Sequence, residues 1–361
     1  MIVVSVAIFK NLSRCLSLMS RTICLGIEST AHTFGIGIVE AVKKKGKLTA
    51  KVLANEKDVF TTVQGGMIPG DVAAHHYVKR DEVLASALSK AKLSLKDISL
   101  ISVSRSPGLS PCLVAGMETA KSLAKKRSVP LIGVNHCVAH LEIGRALTKT
   151  KEPVLLYCSG VNTQVIAFEG NKYRIFGETL DIGVGNFLDS FARHAGIGFP
   201  GGPKIERLAL DYRFKNELLA LPYNVKGMDV NFGGLLTNVC QKYDQVKSGK
   251  YSMEQLAFAI QETAFAMLIE VAERAMAHLG RDELLLGGGV ACNSRLQEMA
   301  RRMCKDRGAE CFVPERQFLV DNGAMIAWLG LLGHDAGIKQ NISRLDINPY
   351  ERTDDVIVSW R

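Results

Sequence analysis

Two histidines four residues apart, His136 and His140 in the run GVNHCVAHLEIG, carry the clearest chemistry in this 361-residue chain. An apolar, strand-like stretch (Val129, Leu131, Ile132, Val134) leads into them, and Asn135 is a strong helix N-cap residue. Residues four apart are neighbours on a helix, so the pair falls on one face of its first turns. Imidazoles so spaced can share one divalent cation and leave positions for a carboxylate, water or substrate. The best carboxylate candidate lies far downstream, Asp321 in VDNGAMIAW, at the mouth of another helix. Cys137 follows His136, so the adjacent glutamate that HExxH zinc proteases use as a base is missing. The competing reading is a pair of capped or solvated histidines.

The elements that must position these groups come in two similar sets. ICLGIESTAHTFGIGIVE and VLLYCSGVNTQVIAFEG both read strand, polar bend, strand. Each is followed by a strand, a Gly-rich loop and a helix: ISLISVSRSPGLSPCLVAGMETAKSLAKK in the first half, DELLLGGGVACNSRLQEMARRM in the second. Such internal duplication predicts an α/β protein of two lobes with a cleft between them. The first lobe is expected over residues 22–151 and the second over 152–320, with residues 321–361 forming a helix (Gly323 to Leu332) and tail that return to the first. A polar insertion of helix and loop is expected between Glu206 and Glu254.

Four turns rich in Gly, Ser and Thr sit where such lobes would face each other: Ser29–Thr33, Pro107–Pro111, Ser159–Thr163 and Gly287–Asn293. Turns of this kind present backbone N–H groups to oxyanions, and four in two matched pairs suggest one phosphate-bearing ligand. A Walker A lysine and the GxGxxG fingerprint are absent. In GIGFPGGPKIERLAL, Pro200 to Pro203 are expected to make a tight turn before a helix that carries Glu206, placed to accept from ribose hydroxyls or to compensate the helix N-terminus. Asp189 is a second polar candidate, or else part of a solvated helix face.

Apolar content of 47% describes a globular chain, and the net charge of +9 favours a polyanionic partner without proving one. Nine cysteines, an odd number with no CxxC pair, argue for reduced thiols and a reducing compartment. No apolar run is expected to span a bilayer. Residues 1–21 have no acidic residue and resemble an organellar transit segment, or else Met19 marks the true start.

Together GIESTAHTFGIGIV, GGMIPGDVAAHH, NHCVAHLEI, GETLDIGVGN, GFPGGPK, GGGVACNSRL, VDNGAMIA and RTDDVIVSW resemble the universal family that forms threonylcarbamoyladenosine in tRNA, and within it the catalytic subunit of the archaeal and eukaryotic KEOPS complex. The resemblance runs from about Ile23 to Arg361. It implies the actin/hexokinase-like (ASKHA) fold of two duplicated α/β lobes. It implies transfer of a threonylcarbamoyl group from threonylcarbamoyl-adenylate to the N6 amine of the adenosine beside the anticodon, in tRNAs reading codons that begin with A. By motif position the metal ligands are His136, His140 and Asp321, with Tyr157 a further ligand or a substrate contact. The nucleotide is then held by Tyr157, Cys158, Ser159, Gly160 and Val161, and by Asp189, Gly202, Glu206 and Asn293. The implied cofactors are one divalent metal, iron or zinc before magnesium, and threonylcarbamoyl-adenylate or ATP/AMP. The implied partners are tRNA, a small protein kinase/ATPase, a dimerising subunit and an accessory tRNA-binding subunit, with no membrane. The expected location is the cytoplasm, and in a eukaryote the nucleus too; mitochondrial targeting by residues 1–21 is the alternative.

Several loop positions depart from the family pattern. Val161 stands where the substrate loop has a second glycine, Ser106 and Ser110 replace glycines in SPGLSP, and Asn231 and Gly233 stand where SFSG is usual. A valine forced to positive φ would be strained and would intrude on the ligand, so weaker substrate binding is expected. Two rivals follow: an ATPase or sugar kinase of the same fold, and a scaffold that has lost nucleotide binding. Kinases of this fold rely on acidic residues with magnesium and have no use for the histidine pair. His75 and His76 are read as ordinary solvated histidines, with support of the ligands from behind or an RNA contact as the alternative.

Overall fold

In β1 (Ser20–Glu28) and β2 (Thr33–Lys44), runs of Ile, Leu, Val and Phe are broken by a polar bend, and the two strands pair antiparallel. The computed structural model describes residues 20–44, 47–62, 67–214 and 217–361. The expected N-terminal extension, with Met19, lies outside these up to residue 19. β3 (Lys47–Val59) continues the antiparallel ribbon at the sheet edge. After α1 (Pro69–Ala91), β4 (Leu100–Ser106) joins β1 in parallel; after α2 (Ser110–Arg127), β5 (Leu131–Asn135) joins β4 and runs directly into α3 (His136–Thr148). The strand order is β3-β2-β1-β4-β5.

The second half repeats the scheme. β6 (Val154–Cys158), β7 (Thr163–Glu169) and β8 (Lys172–Glu178) form an antiparallel ribbon. α4 (Val184–His194), α5 (Gly201–Asp211), the short hairpin β9 (Val225–Lys226) and β10 (Asp229–Val230), α6 (Gly233–Lys247) and α7 (Met253–Leu279) follow. β11 (Glu283–Gly287) joins β6 in parallel, then come α8 (Ser294–Asp306), β12 (Glu310–Phe312), α9 (Arg316–Leu319) and α10 (Gly323–Asp335). The order β12-β11-β6-β7-β8 is the first sheet's order read from the other end, so the two halves share one topology. The polar insertion thus resolves into α5, the hairpin and α6.

α10 runs one turn beyond the expected end and packs on β1 and β2. Gly37 and Gly323 permit that contact: a Cβ on Gly323 would stand 2.1 Å from the Gly37 nitrogen. One apolar cluster (Leu25, Phe34, Ile36, Val103) lies against the first sheet and another (Leu156, Phe187, Phe265, Leu286) against the second. A third joins the halves, with Val138 and Leu141 of α3 meeting Leu155, Tyr157, Leu285 and Trp328. Each large apolar side chain fully buried there is worth about 1.5–3 kcal/mol. Contrary to expectation, one helix among the described residues, α7, is long and apolar enough by length and composition to cross a membrane. Its apolar residues (Leu256, Ile260, Phe265, Leu268) are spent on the second sheet's core, which accounts for its composition. Every cysteine among the described residues is free.

Candidate metal and nucleotide site

β5 ends at Asn135, whose side chain accepts from the Val138 amide at 3.2 Å and so starts α3 with His136 in its first turn. Asp321 stands just before the N-cap of α10, Asn322, which accepts from the Met325 amide at 3.0 Å. These two helix starts face each other. His136 Nε2 and His140 Nε2 each lie 3.4 Å from Asp321 Oδ1, and the three candidate ligand atoms fall within 4.8 Å of one another. Donors about 2.1 Å from a tetrahedral cation stand about 3.4 Å apart, the separation of each imidazole nitrogen from the carboxylate oxygen, so the trio could hold a metal ion.

The charge balance is tight. Burial alone would lower the pKa of His136, but the carboxylates of Glu28 and Asp321 outweigh it and hold the imidazole well above its ordinary value. Burial likewise opposes ionisation of Asp321, and the His136 and His140 rings overcome it, holding the carboxyl well below the usual range. Burial lowers the pKa of His140, whose Nδ1 is enclosed with no hydrogen-bond partner among the described residues. Glu28 was missed in the sequence. At the end of β1 and fully buried, it lies 2.9 Å from His136 Nδ1 and accepts from the Thr30 amide at 2.7 Å. The available signal was a charged residue closing an otherwise apolar strand. Lys57 on β3 adds a cation, its Nζ 3.4 Å from the Asp321 carbonyl; burial lowers its pKa.

Tyr157 is buried in β6 with its ring centroid 5.2 Å from that of His140, and burial pushes its phenol well above the ordinary value. Cys158 is wholly buried, so only its backbone reaches the loop. The loop closes through Ser159, whose amide donates to the Asn162 carbonyl at 2.8 Å. Its carbonyls accept from the first turn of α4: Gly185 N–H to Ser159 O at 3.1 Å and Asn186 N–H to Gly160 O at 2.9 Å. A Cβ on Gly183 would stand 2.4 Å from the Val161 carbonyl, so glycine is required for that approach. The amides of Gly160 and Val161 have no protein acceptor among the described residues. Val161 does not take positive φ, and its side chain is 66% exposed. The strain expected at this position is therefore absent.

The structure also places the other departures. Ser106 donates its hydroxyl to the Glu351 carboxylate, and Ser110 sits exposed in the first turn of α2. The Asn231 amide donates to the Asn224 carbonyl. The Gly233 amide donates to Asp181 Oδ2 at 2.7 Å, where a Cβ would stand 2.9 Å from that oxygen.

The remaining candidates gather at two helix starts. Asp189 on α4 accepts from the Gly201 amide at 2.7 Å, capping α5, which begins at Gly201 and so absorbs Gly202 and Pro203 into its first turn instead of a separate tight turn. Burial raises the Asp189 pKa. Glu206 on α5 accepts from the Ser294 amide at 2.8 Å and its hydroxyl at 2.6 Å, while Asn293 caps the same α8 and donates to Gln261 at 2.9 Å. Each carboxylate uses one oxygen in these bonds, Oδ1 of Asp189 and Oε1 of Glu206. His75 pairs with Asp58 at 2.7 Å, and His76, fully buried instead of solvated, with the Ala31 carbonyl at 2.8 Å; neither belongs to the trio.

A family model described as tRNA N6-adenosine threonylcarbamoyltransferase matches residues 47–328. The protein so named in Thermococcus sibiricus is 49% identical, covering 94% of this chain and 100% of its own length. That of Thermococcus kodakarensis is 50% identical, covering 94% and 99%. A probable bifunctional tRNA threonylcarbamoyladenosine biosynthesis protein of Thermoplasma volcanium is 46% identical over 94% of this chain but 61% of itself. Among solved structures, HypF of T. kodakarensis superposes with a TM-score of 0.57 at 14% identity, over 87% of this chain and 47% of that one. The activator of the 2-hydroxyisocaproyl-CoA dehydratase from Clostridium difficile gives 0.50 at 14% identity, over 89% and 99%. At that identity the two carry the fold alone, the ASKHA architecture.

Proposed function

The chain belongs to the tRNA N6-adenosine threonylcarbamoyltransferase family, and from that premise we propose that it moves the threonylcarbamoyl group of threonylcarbamoyl-adenylate onto the N6 amine of the adenosine 3′-adjacent to the anticodon, in tRNAs reading ANN codons. One divalent metal held by His136, His140 and Asp321 assists. The observation that carries this reading is the convergence of two imidazole nitrogens on one carboxylate oxygen, each 3.4 Å away. Two imidazoles with a carboxylate suit iron or zinc better than magnesium. When bound, the cation supplies Lewis-acid polarisation of the donor's oxygens.

The chain's own residues do the rest. Glu28 holds the Nδ1 proton of His136 and keeps Nε2 aimed into the site. The Gly160 and Val161 amides offer hydrogen bonds to the donor's phosphate, and the Asp189 and Glu206 oxygens outside the helix caps accept from ribose hydroxyls. Lys57 adds positive charge beside an anionic donor. The amine attacks the carbamoyl carbon, the new C–N bond forms, and the bond to the phosphate oxygen breaks with its electron pair leaving on AMP. The amine's proton goes to the departing phosphate or to water. No side-chain nucleophile is needed. Partners of the KEOPS type (a small kinase/ATPase, a dimerising subunit, an accessory tRNA-binding subunit) and a cytoplasmic location complete the proposal.

The test supplies unmodified tRNA and threonylcarbamoyl-adenylate, with and without partner subunits, and reads the digested nucleosides by mass spectrometry. The wild type is expected to form N6-threonylcarbamoyladenosine and His140→Ala none. No product from the wild type with every partner present contradicts the reading.

A further inference from the structure

His136 is oriented by a second hydrogen bond to Glu28, but the Nδ1 of His140 has no partner among the described residues. The aim of His140 therefore depends on where its helix sits. Two residues further along α3, and so about 200° around it, Glu142 is 1% exposed in the core between the halves. Its Oε1 accepts from the Tyr173 hydroxyl of β8 at 2.5 Å and from the indole of Trp360 at 2.7 Å. Its backbone carbonyl accepts from the Trp328 indole of α10 at 3.1 Å, and only Arg145, at 3.1 Å from Oε2, belongs to α3 itself. The last residue secures the assembly: the Arg361 guanidinium lies 4.1 Å over the Phe168 ring and donates to the Lys151 carbonyl and the Glu152 carboxylate, both at 2.7 Å.

We propose that Tyr173, Trp360 and Arg361 form a latch that grips the back of α3 through Glu142 and sets the register in which His140 faces Asp321. A buried carboxylate stripped of its donors is strongly unfavourable, so losing the latch moves Glu142, and α3 with it. These are positioning residues; none touches the metal trio. The inference rests on the metal reading above, and its test separates the two.

Co2+ serves as the probe, titrated into the full chain and followed by its visible ligand-field bands. The Tyr173→Phe/Trp360→Phe double variant removes one O–H and one N–H, keeping the Tyr173 ring and exchanging the Trp360 indole for a smaller phenyl that stays apolar. It is expected to bind Co2+ about tenfold more weakly, with altered bands, and to lose kcat while KM for tRNA stays unchanged. Val271→Ala in α7, remote from α3, lowers Tm comparably and is expected to leave the Co2+ constant alone. Should the double variant not fold, Trp360→Phe by itself gives a smaller shift in the same direction. The latch is overturned if the folded variant matches the wild-type constant and bands, or weakens Co2+ binding no more than Val271→Ala. A wild type that binds no Co2+ overturns both the latch and the metal reading.

Discussion

His136 Nδ1 lies 2.9 Å from Glu28 Oε2, a bond between the end of β1 and the start of α3 that leaves Nε2 facing Asp321. A carboxylate behind a ligating imidazole fixes the ring and raises its basicity. Glu28→Gln keeps the shape and one acceptor but removes that charge. Metal affinity is expected to fall about 10- to 100-fold, with kcat falling alongside, measured by metal titration and steady-state transfer. Unchanged affinity would show that Glu28 only supports Thr30.

Val161 is exposed and free of positive φ, so glycine has nothing to relieve there. Val161→Gly is expected to change stability by less than about 1 kcal/mol and the donor KM by no more than a few-fold. A large gain in affinity would restore the idea that the valine obstructs the ligand.

His76 donates from Nε2 to the Ala31 carbonyl, its Nδ1 is enclosed without a partner among the described residues, and burial takes its pKa from 6.5 down to about 4. Between those values the unfolded chain binds a proton that the folded one refuses, so stability falls as pH drops from 6.5 through 4. Urea midpoints from neutral pH to pH 5 are expected to decline, and His76→Gln to flatten the decline. An equal slope in both proteins would place the acid sensitivity elsewhere.

Lys57 donates from Nζ to the Asp321 carbonyl at 3.4 Å. Lys57→Gln is expected to raise the donor KM several-fold with kcat little changed, because the charge acts on the donor's binding more than on the reacting bond. A loss confined to kcat would instead tie Lys57 to the chemical step.

The parts legible in the sequence were those written locally. Asn135 announces α3, the i, i+4 spacing puts both imidazoles on one face, and the repeated strand–bend–strand grammar matches the two sheets of equal order. What escaped depends on distant partners. Glu28 meets a ring 108 residues away, Asp189 and Glu206 cap helices other than their own, and Glu142 is satisfied from β8 and the chain's last residues. No local pattern encodes such bonds. Val161 misled for the opposite reason: a family position was read as demanding a left-handed backbone that this loop does not adopt.

The central claim is that transfer needs a cation held by His136, His140 and Asp321. Chelator-stripped protein, titrated with Fe2+ or Zn2+ and supplied with threonylcarbamoyl-adenylate and unmodified tRNA, tests it most directly. Product formation is expected to start near zero, rise with bound metal and saturate at one equivalent per chain, with no rise in Asp321→Ala. Full activity in the stripped wild type would contradict the account.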